Sequence, residues 1–179
     1  LSLEYGEPLH CRATRTLRIG RFGSTIRIHQ QIERTAPSNI PVALWSVLQI
    51  VPPSRIILPG TAPLRPVAFA APPAGADVGA SGARVYHLSV GGEHRLAASV
   101  PAKWIAADLG RFLMIQRLEP TTDAPGGEAE AVAYVHRGAP YAEIELVGRE
   151  QMLAQGQAIE NVVRIDLHPS FTGMSDERL

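Results

Sequence analysis

Alternation of apolar and polar side chains with a period of two dominates this chain. Over residues 24–34, Ile26, Ile28 and Ile32 fall on one face and Thr25, Arg27, His29, Gln31 and Glu33 on the other, the mark of a half-buried strand. Residues 12–19 behave alike, with Arg12, Thr14, Thr16 and Arg18 set against Ala13, Arg15, Leu17 and Ile19. Gly20-Arg21-Phe22-Gly23 supplies a short hairpin connection between the two. The run 42–51 is apolar almost throughout, which predicts a strand covered on both faces, and Pro52-Pro53 ends it. A short strand over 55–58 stops at Pro59-Gly60, and residues 70–83, nearly all Ala, Gly and Pro, read as an exposed loop.

Further strands are expected at 84–90, 94–99, 104–107, 111–118, 130–136, 140–147 and 157–167, with a turn-rich connection over 123–128. In the last strand Ile159, Val163, Ile165 and Leu167 share a face, and Glu160, Arg164 and Asp166 share the other. No long segment carries a 3.6-residue stripe; residues 149–154 predict one helical turn at most, and 169–179 read as a tail. The pattern predicts an all-β protein of about eleven strands, which at such short spacing must stack as a sandwich or close on themselves. Residues 1–179 are read as a single β-sandwich domain.

Composition narrows the function classes. A length of 179 residues suffices to bury a real core. Seventeen basic residues balance 17 acidic ones, which removes the electrostatic case for nucleic acid or an anionic membrane surface as partner. No apolar run approaches the ~20 residues of a membrane helix. Cys11 is the one cysteine, so a disulfide framework and a multi-cysteine metal site within the chain are both excluded. Gly (16) and Pro (15) are spread as punctuation, in keeping with many short strands and turns. The chain begins at Leu1 with neither a signal peptide nor a tag, and reads as part of something longer.

Candidate chemistry is sparse. There is no phosphate-binding glycine loop, CxxC or HExxH, and the six histidines do not repeat at ligand spacing. Cys11 and His10 are neighbours whose side chains would point to opposite faces of a strand, a poor nucleophile and base. The most suggestive segment is 141–147. Its alternation puts Ala142, Ile144 and Leu146 in the core and Tyr141, Glu143 and Glu145 on the opposite face. Carboxylates two residues apart on a strand stand roughly 7 Å from each other. In a groove, repulsion and partial burial would favour protonating one of such a pair, which suits proton transfer. On a solvated face the same pair does nothing. A second segment, 39–49, places Trp45, Val47 and Gln49 on one face of a strand, where an indole and an amide can serve a sugar's C–H face and hydroxyls or simply fill core.

Taken together, these segments resemble the galactose mutarotase-like (aldose 1-epimerase-like) superfamily. Ser38-Asn39-Ile40-Pro41-Val42 leading into 43–49 is similar to its Asn-x-x-Pro-hydrophobic approach to a sugar-facing strand. Tyr141 to Val147, then Leu153-Ala154-Gln155-Gly156-Gln157, then 158–167 is similar to its glutamate-bearing strand, Leu-x-Pro-Gly-Glu-like turn and final strand. The resemblance spans roughly residues 12 to 168 and is closest to a branch in which Trp-x-x-x-Gln and Glu-x-Glu recur. It implies a β supersandwich of which this chain carries the C-terminal portion. It also implies a carbohydrate-binding groove with Glu145 or Glu143 as general base and Trp45, Gln49, Arg34, Trp104, Tyr141 and His136 as groove residues. The family's acid lies in a Thr-Asn-His element; the matching Trp45-Ser46-Val47 has no histidine, which leaves His29, His87 or His136 to supply one by convergence. Mutarotation moves only protons, so no cofactor and no metal are expected. The expected partner is a small-molecule carbohydrate. A non-catalytic sugar-binding or protein-interaction sandwich is the competing class, and exposed sheet edges could pair two copies as a homodimer.

Overall fold

The structure, a computed structural model, describes residues 1–21, 23–60, 77–78, 82–88, 94–97, 103–119, 129–135 and 140–170. Every regular element among them is a strand. In chain order these are β1 (Ser2–Tyr5), β2 (Cys11–Ile19), β3 (Thr25–Arg34), β4 (Trp45–Ile50), β5 (Arg55–Leu58), β6 (Asp77–Val78), β7 (Arg84–His87), β8 (His94–Ala97), β9 (Trp104–Asp108), β10 (Phe112–Glu119), β11 (Ala129–Val135), β12 (Ala142–Gly148) and β13 (Ala158–Pro169).

They form two sheets. Nine strands run in the order β1-β2-β3-β13-β10-β9-β5-β7-β6, and four in the order β4-β12-β11-β8. Every pairing is antiparallel. The arrangement is a β-sandwich, as the alternation predicts.

Alternation decides what lies between the sheets. The four-stranded sheet turns Ala129, Ala131, Ala133, Ile144 and Leu146 inward. These meet Ile28, Ile56, Ile105, Met114, Val163 and Ile165 from the nine-stranded sheet in one apolar core. The small alanines of β11 allow the sheets to approach closely; burial of the larger side chains supplies roughly 1.5–3 kcal/mol each before entropy is counted. A second, smaller apolar cluster (Ile57, Ala83, Val85 and Ala106, with Trp104, Leu113 and Ile115 against it) lies on the opposite face of the nine-stranded sheet. A polar bridge crosses the core: the buried Gln116 of β10 donates to Ser46 Oγ of β4 at 2.9 Å, tying the two sheets together.

Several sequence expectations need correction. The run 42–51 is not covered on both faces. Val42 makes an isolated bridge with Gln151 and the strand begins only at Trp45. Trp45 is 56% exposed and Val47 39%, because the outward face of β4 carries its large apolar residues while Leu48 and Ile50 pack inward. Residues 149–154 make no helical turn, since the backbone of Gln151 bonds Val42 in both directions. Within the expected loop 70–83, Asp77–Val78 pairs with β7 and Ala83 is buried; most of the remainder lies outside the described residues, as does tail residue 171 onward. Residues 2–5, not expected as a strand, pair with β2.

Candidate functional site

Three clamps deliver the chain into β4. Arg34, at the end of β3, is fully buried, and its guanidinium donates to the carbonyl of Leu9 and to that of Ile40 at 2.5 Å. The Val42–Gln151 bridge follows, with N–H···O distances of 3.0 and 2.8 Å. Third, the amide of Gly148 donates to Leu44 O at 2.8 Å, and a Cβ added to Gly148 would stand 3.1 Å from that same oxygen. A glycine here lets the residue before Trp45 seat directly on the end of β12. Trp45 is therefore aimed by backbone contacts to the residues that lead into it.

The register of β4 against β12 then sets the face. Glu143 stands opposite Gln49, Glu145 opposite Val47, and Val147 opposite Trp45. On the other flank β11 places Tyr134 opposite Glu143, Val132 opposite Glu145 and Glu130 opposite Val147. Glu145 thus lies between two valines, and the indole of Trp45 reaches it diagonally, Nε1–H donating to Oε2 at 3.0 Å. Such diagonal reach is normal for an aromatic on a pleated face. Glu145 is only 8% exposed although it points away from the core. Glu143 is half-buried and accepts from Gln49 Nε2 at 3.2 Å. Both carboxylates receive neutral N–H donors in these bonds. Tyr141 immediately precedes β12, and alternation gives it the same face.

The structure therefore brings Trp45, Gln49, Glu143 and Glu145 together on the outer face of the four-stranded sheet. It sets two of the other expected groove residues elsewhere. Arg34 belongs to the inner face and is spent on two backbone carbonyls, because the loops around it leave buried oxygens that need a strong donor. Trp104 lies on the outer face of the other sheet, packed against the second apolar cluster. His136 lies outside the described residues. His29 pairs with Glu160 at 3.2 Å, and His29 and His87 both belong to strands of the nine-stranded sheet; among the described residues no histidine shares the face of Glu145. Cys11 is buried and its Sγ–H donates to Leu9 O at 3.2 Å, so it has a packing role.

Val132, Tyr134 and Glu130 belong to the same face and were not singled out from sequence. Their signal was present in β11: Ala129, Ala131 and Ala133 mark an inward face, which leaves the alternate residues outside. Next to this face, a cavity of about 520 Å³ opens between the inner side of β1–β3 and residues 41–45, with Leu3, Tyr5, Ile32 and Leu44 in its walls and Trp45 shared with the carboxylate face. Among the described residues no group of three or more His, Cys, Asp or Glu converges as a metal cluster would.

No protein-family model and no curated protein matches this sequence. Among solved structures, the crystal structure of an Escherichia coli K12 protein described as a "Putative aldose 1-epimerase" superposes with a TM-score of 0.63 at 10% sequence identity. The match covers 94% of this chain and 64% of that one, so the chain spans less than two thirds of the length of the protein it matches. The fold is thus aldose 1-epimerase-like, in agreement with the resemblance carried by segments 39–49 and 141–167.

Proposed function

We propose that the protein binds a carbohydrate on the outer face of β4 and β12 and that the carboxylate pair there acts on the anomeric centre of an aldose. The observation that carries this reading is the indole-to-Glu145 hydrogen bond at 3.0 Å, beside a second carboxylate held by an amide at 3.2 Å. A half-exposed tryptophan, an amide and two oriented carboxylates are the parts a pyranose needs: a flat apolar surface for its C–H face and polar groups for its hydroxyls. The aldose 1-epimerase-like fold supports the same reading.

In the reaction, Glu145 or Glu143 takes the proton from the anomeric hydroxyl, a water molecule gives one to the ring oxygen, and the C1–O5 bond breaks. The open-chain aldehyde turns about C1–C2 and recloses from the other face, and the protons return. Trp45 holds the carboxylate of Glu145 in one orientation, which favours proton transfer along a fixed line.

A second reading is favoured by the absence of histidine on the described part of this face: the site binds sugar without turning it over. Polarimetry on freshly dissolved aldoses, run beside tryptophan fluorescence titration of a Trp104→Phe variant, separates the two. Catalysis predicts an accelerated approach to anomeric equilibrium that Glu145→Gln or Glu143→Gln reduces at least a hundredfold. Binding alone predicts saturable quenching with no acceleration at any pH. No response of Trp45 to any aldose overturns both.

A further inference from the structure

The outer face of the nine-stranded sheet holds an arrangement that the carbohydrate reading above does not use. Strand register sets Arg18 of β2 opposite Arg27 of β3, Arg27 opposite Arg164 of β13, and Arg164 opposite Arg117 of β10. Arg117 in turn stands opposite Trp104 of β9. Four arginines therefore stand in one row straight across four adjacent strands, spaced by about 4.8 Å from strand to strand, with an indole closing the row. Like charges placed directly opposite one another work against a sheet.

Only part of that charge is answered internally. Asp166 takes Arg117 Nη2 at 2.6 Å, Arg164 Nε at 2.9 Å and Thr25 Oγ1 at 2.7 Å. Glu119 takes Arg27 Nη2 at 2.9 Å and lies 3.9 Å from Arg164 Nη1. The nearby Glu160 is engaged by His29, and Glu33 faces Arg12 at the far end of β3. Two carboxylates thus serve three of the four guanidinium groups, and Arg18 has no ion-pair partner among the described residues. The buried Nε–H of Arg117 also lacks an acceptor. Arg27, Arg117 and Arg164 remain 55, 41 and 36% exposed at their side chains, so N–H edges of this row face outward.

We infer that this row is a second binding site, for an oligosaccharide that bears oxyanions along its length. Guanidinium forks match carboxylate and sulfate groups in geometry and charge. A linear row matches a chain carrying one anion per sugar better than it matches a compact anion. Trp104 at the end of the row offers a ring for a sugar to stack on. The two sources of the oxyanion, uronate carboxylate and sulfate ester, are distinguished by experiment.

The test is calorimetric titration of the protein with hexagalacturonate, with a heparin hexasaccharide and with neutral maltohexaose. At low salt at least one anionic hexasaccharide is expected to bind and the neutral one not; whichever binds more tightly identifies the oxyanion. Arg18→Gln touches no ion pair and keeps the fold intact, which a thermal melt checks. It is expected to weaken binding about fivefold, and Arg27→Gln about tenfold. Glu145→Gln, on the other sheet, leaves this binding unchanged, so failure here and failure of the aldose site are separate results. The inference is overturned if neither anionic oligosaccharide binds, if maltohexaose binds equally, or if Arg18→Gln changes nothing. Tighter binding of a single-stranded DNA oligomer of equal charge also overturns it.

Discussion

The two outer faces of this sandwich treat their carboxylates in opposite ways. On the four-stranded sheet, Glu145 and Glu143 receive an indole N–H and an amide N–H, so their negative charge is oriented without being neutralised by those donors. On the nine-stranded sheet, Asp166 and Glu119 are saturated by guanidinium groups in a surplus of arginine. On one face these hydrogen bonds to the carboxylates come from neutral side chains, and on the other they come chiefly from guanidinium groups. The lesson is that a carboxylate's neighbours across the ladder decide how its charge is held.

The comparison breaks first at Asp166. Asp166→Asn removes a buried carboxylate from two arginines and a hydroxyl, and is expected to cost about 3 kcal/mol of stability by urea denaturation. A cost below that of the Glu143 variant described below would reverse the assignment of roles.

The same stabilisation can be withdrawn by acid. Burial alone would push the carboxyl of Asp166 up, but Thr25, Arg164 and Arg117 outweigh it and hold the group below the ordinary carboxylate range. A carboxyl depressed in the folded state contributes its full stability above the unfolded value near ~3.9 and loses it as the pH falls through the folded value. Wild-type stability is therefore expected to fall below about pH 4 more steeply than that of Asp166→Asn, a difference that melts at pH 6 and at successively lower pH would reveal.

Smaller effects sharpen the other side. Trp45→Phe keeps an aromatic face but removes the donor to the nearly buried Glu145, at an expected cost of about 1–2 kcal/mol. Aldose binding is expected to persist at reduced affinity. The smallest effect belongs to Glu143→Gln, where an amide oxygen can still accept from Gln49, so stability should move by no more than about 0.5 kcal/mol. A large loss there would show that Glu143, too, is a structural anchor.

Much of the sandwich could be read from alternation, because each strand buries one face and the period of two survives wherever that face is apolar. Residues 141–147 show this best: Ala142, Ile144 and Leu146 are inside and both glutamates are outside, as the pattern requires. Reading failed where side chains broke the code for a local reason. Trp45 and Val47 look like core but stand outward over a carboxylate. Arg34 looks like a surface or ligand residue but is buried to satisfy two carbonyls that sequence cannot locate. The pairing of Trp45 with Glu145 and the arginine row share a further cause. Each depends on which strand lies beside which, and residues 27, 117 and 164 become neighbours only once the register is known.

Strand β13 has a consequence for the order in which this molecule can assemble. It is the seam between β3 on one side and β10 on the other, and in its ladder with β3 it joins partners separated by as many as 141 positions along the chain. Without it, the wide sheet is two separate pieces, a three-stranded meander and a five-stranded remainder. Neither the arginine row nor Asp166's set of donors exists until those pieces are stitched together. Closing so long a loop is entropically costly before it is rewarded, and such non-local pairing places the protein among domains that fold in milliseconds to seconds. A ribosome would have to deliver residues 158–169 before the nine-stranded sheet could exist at all.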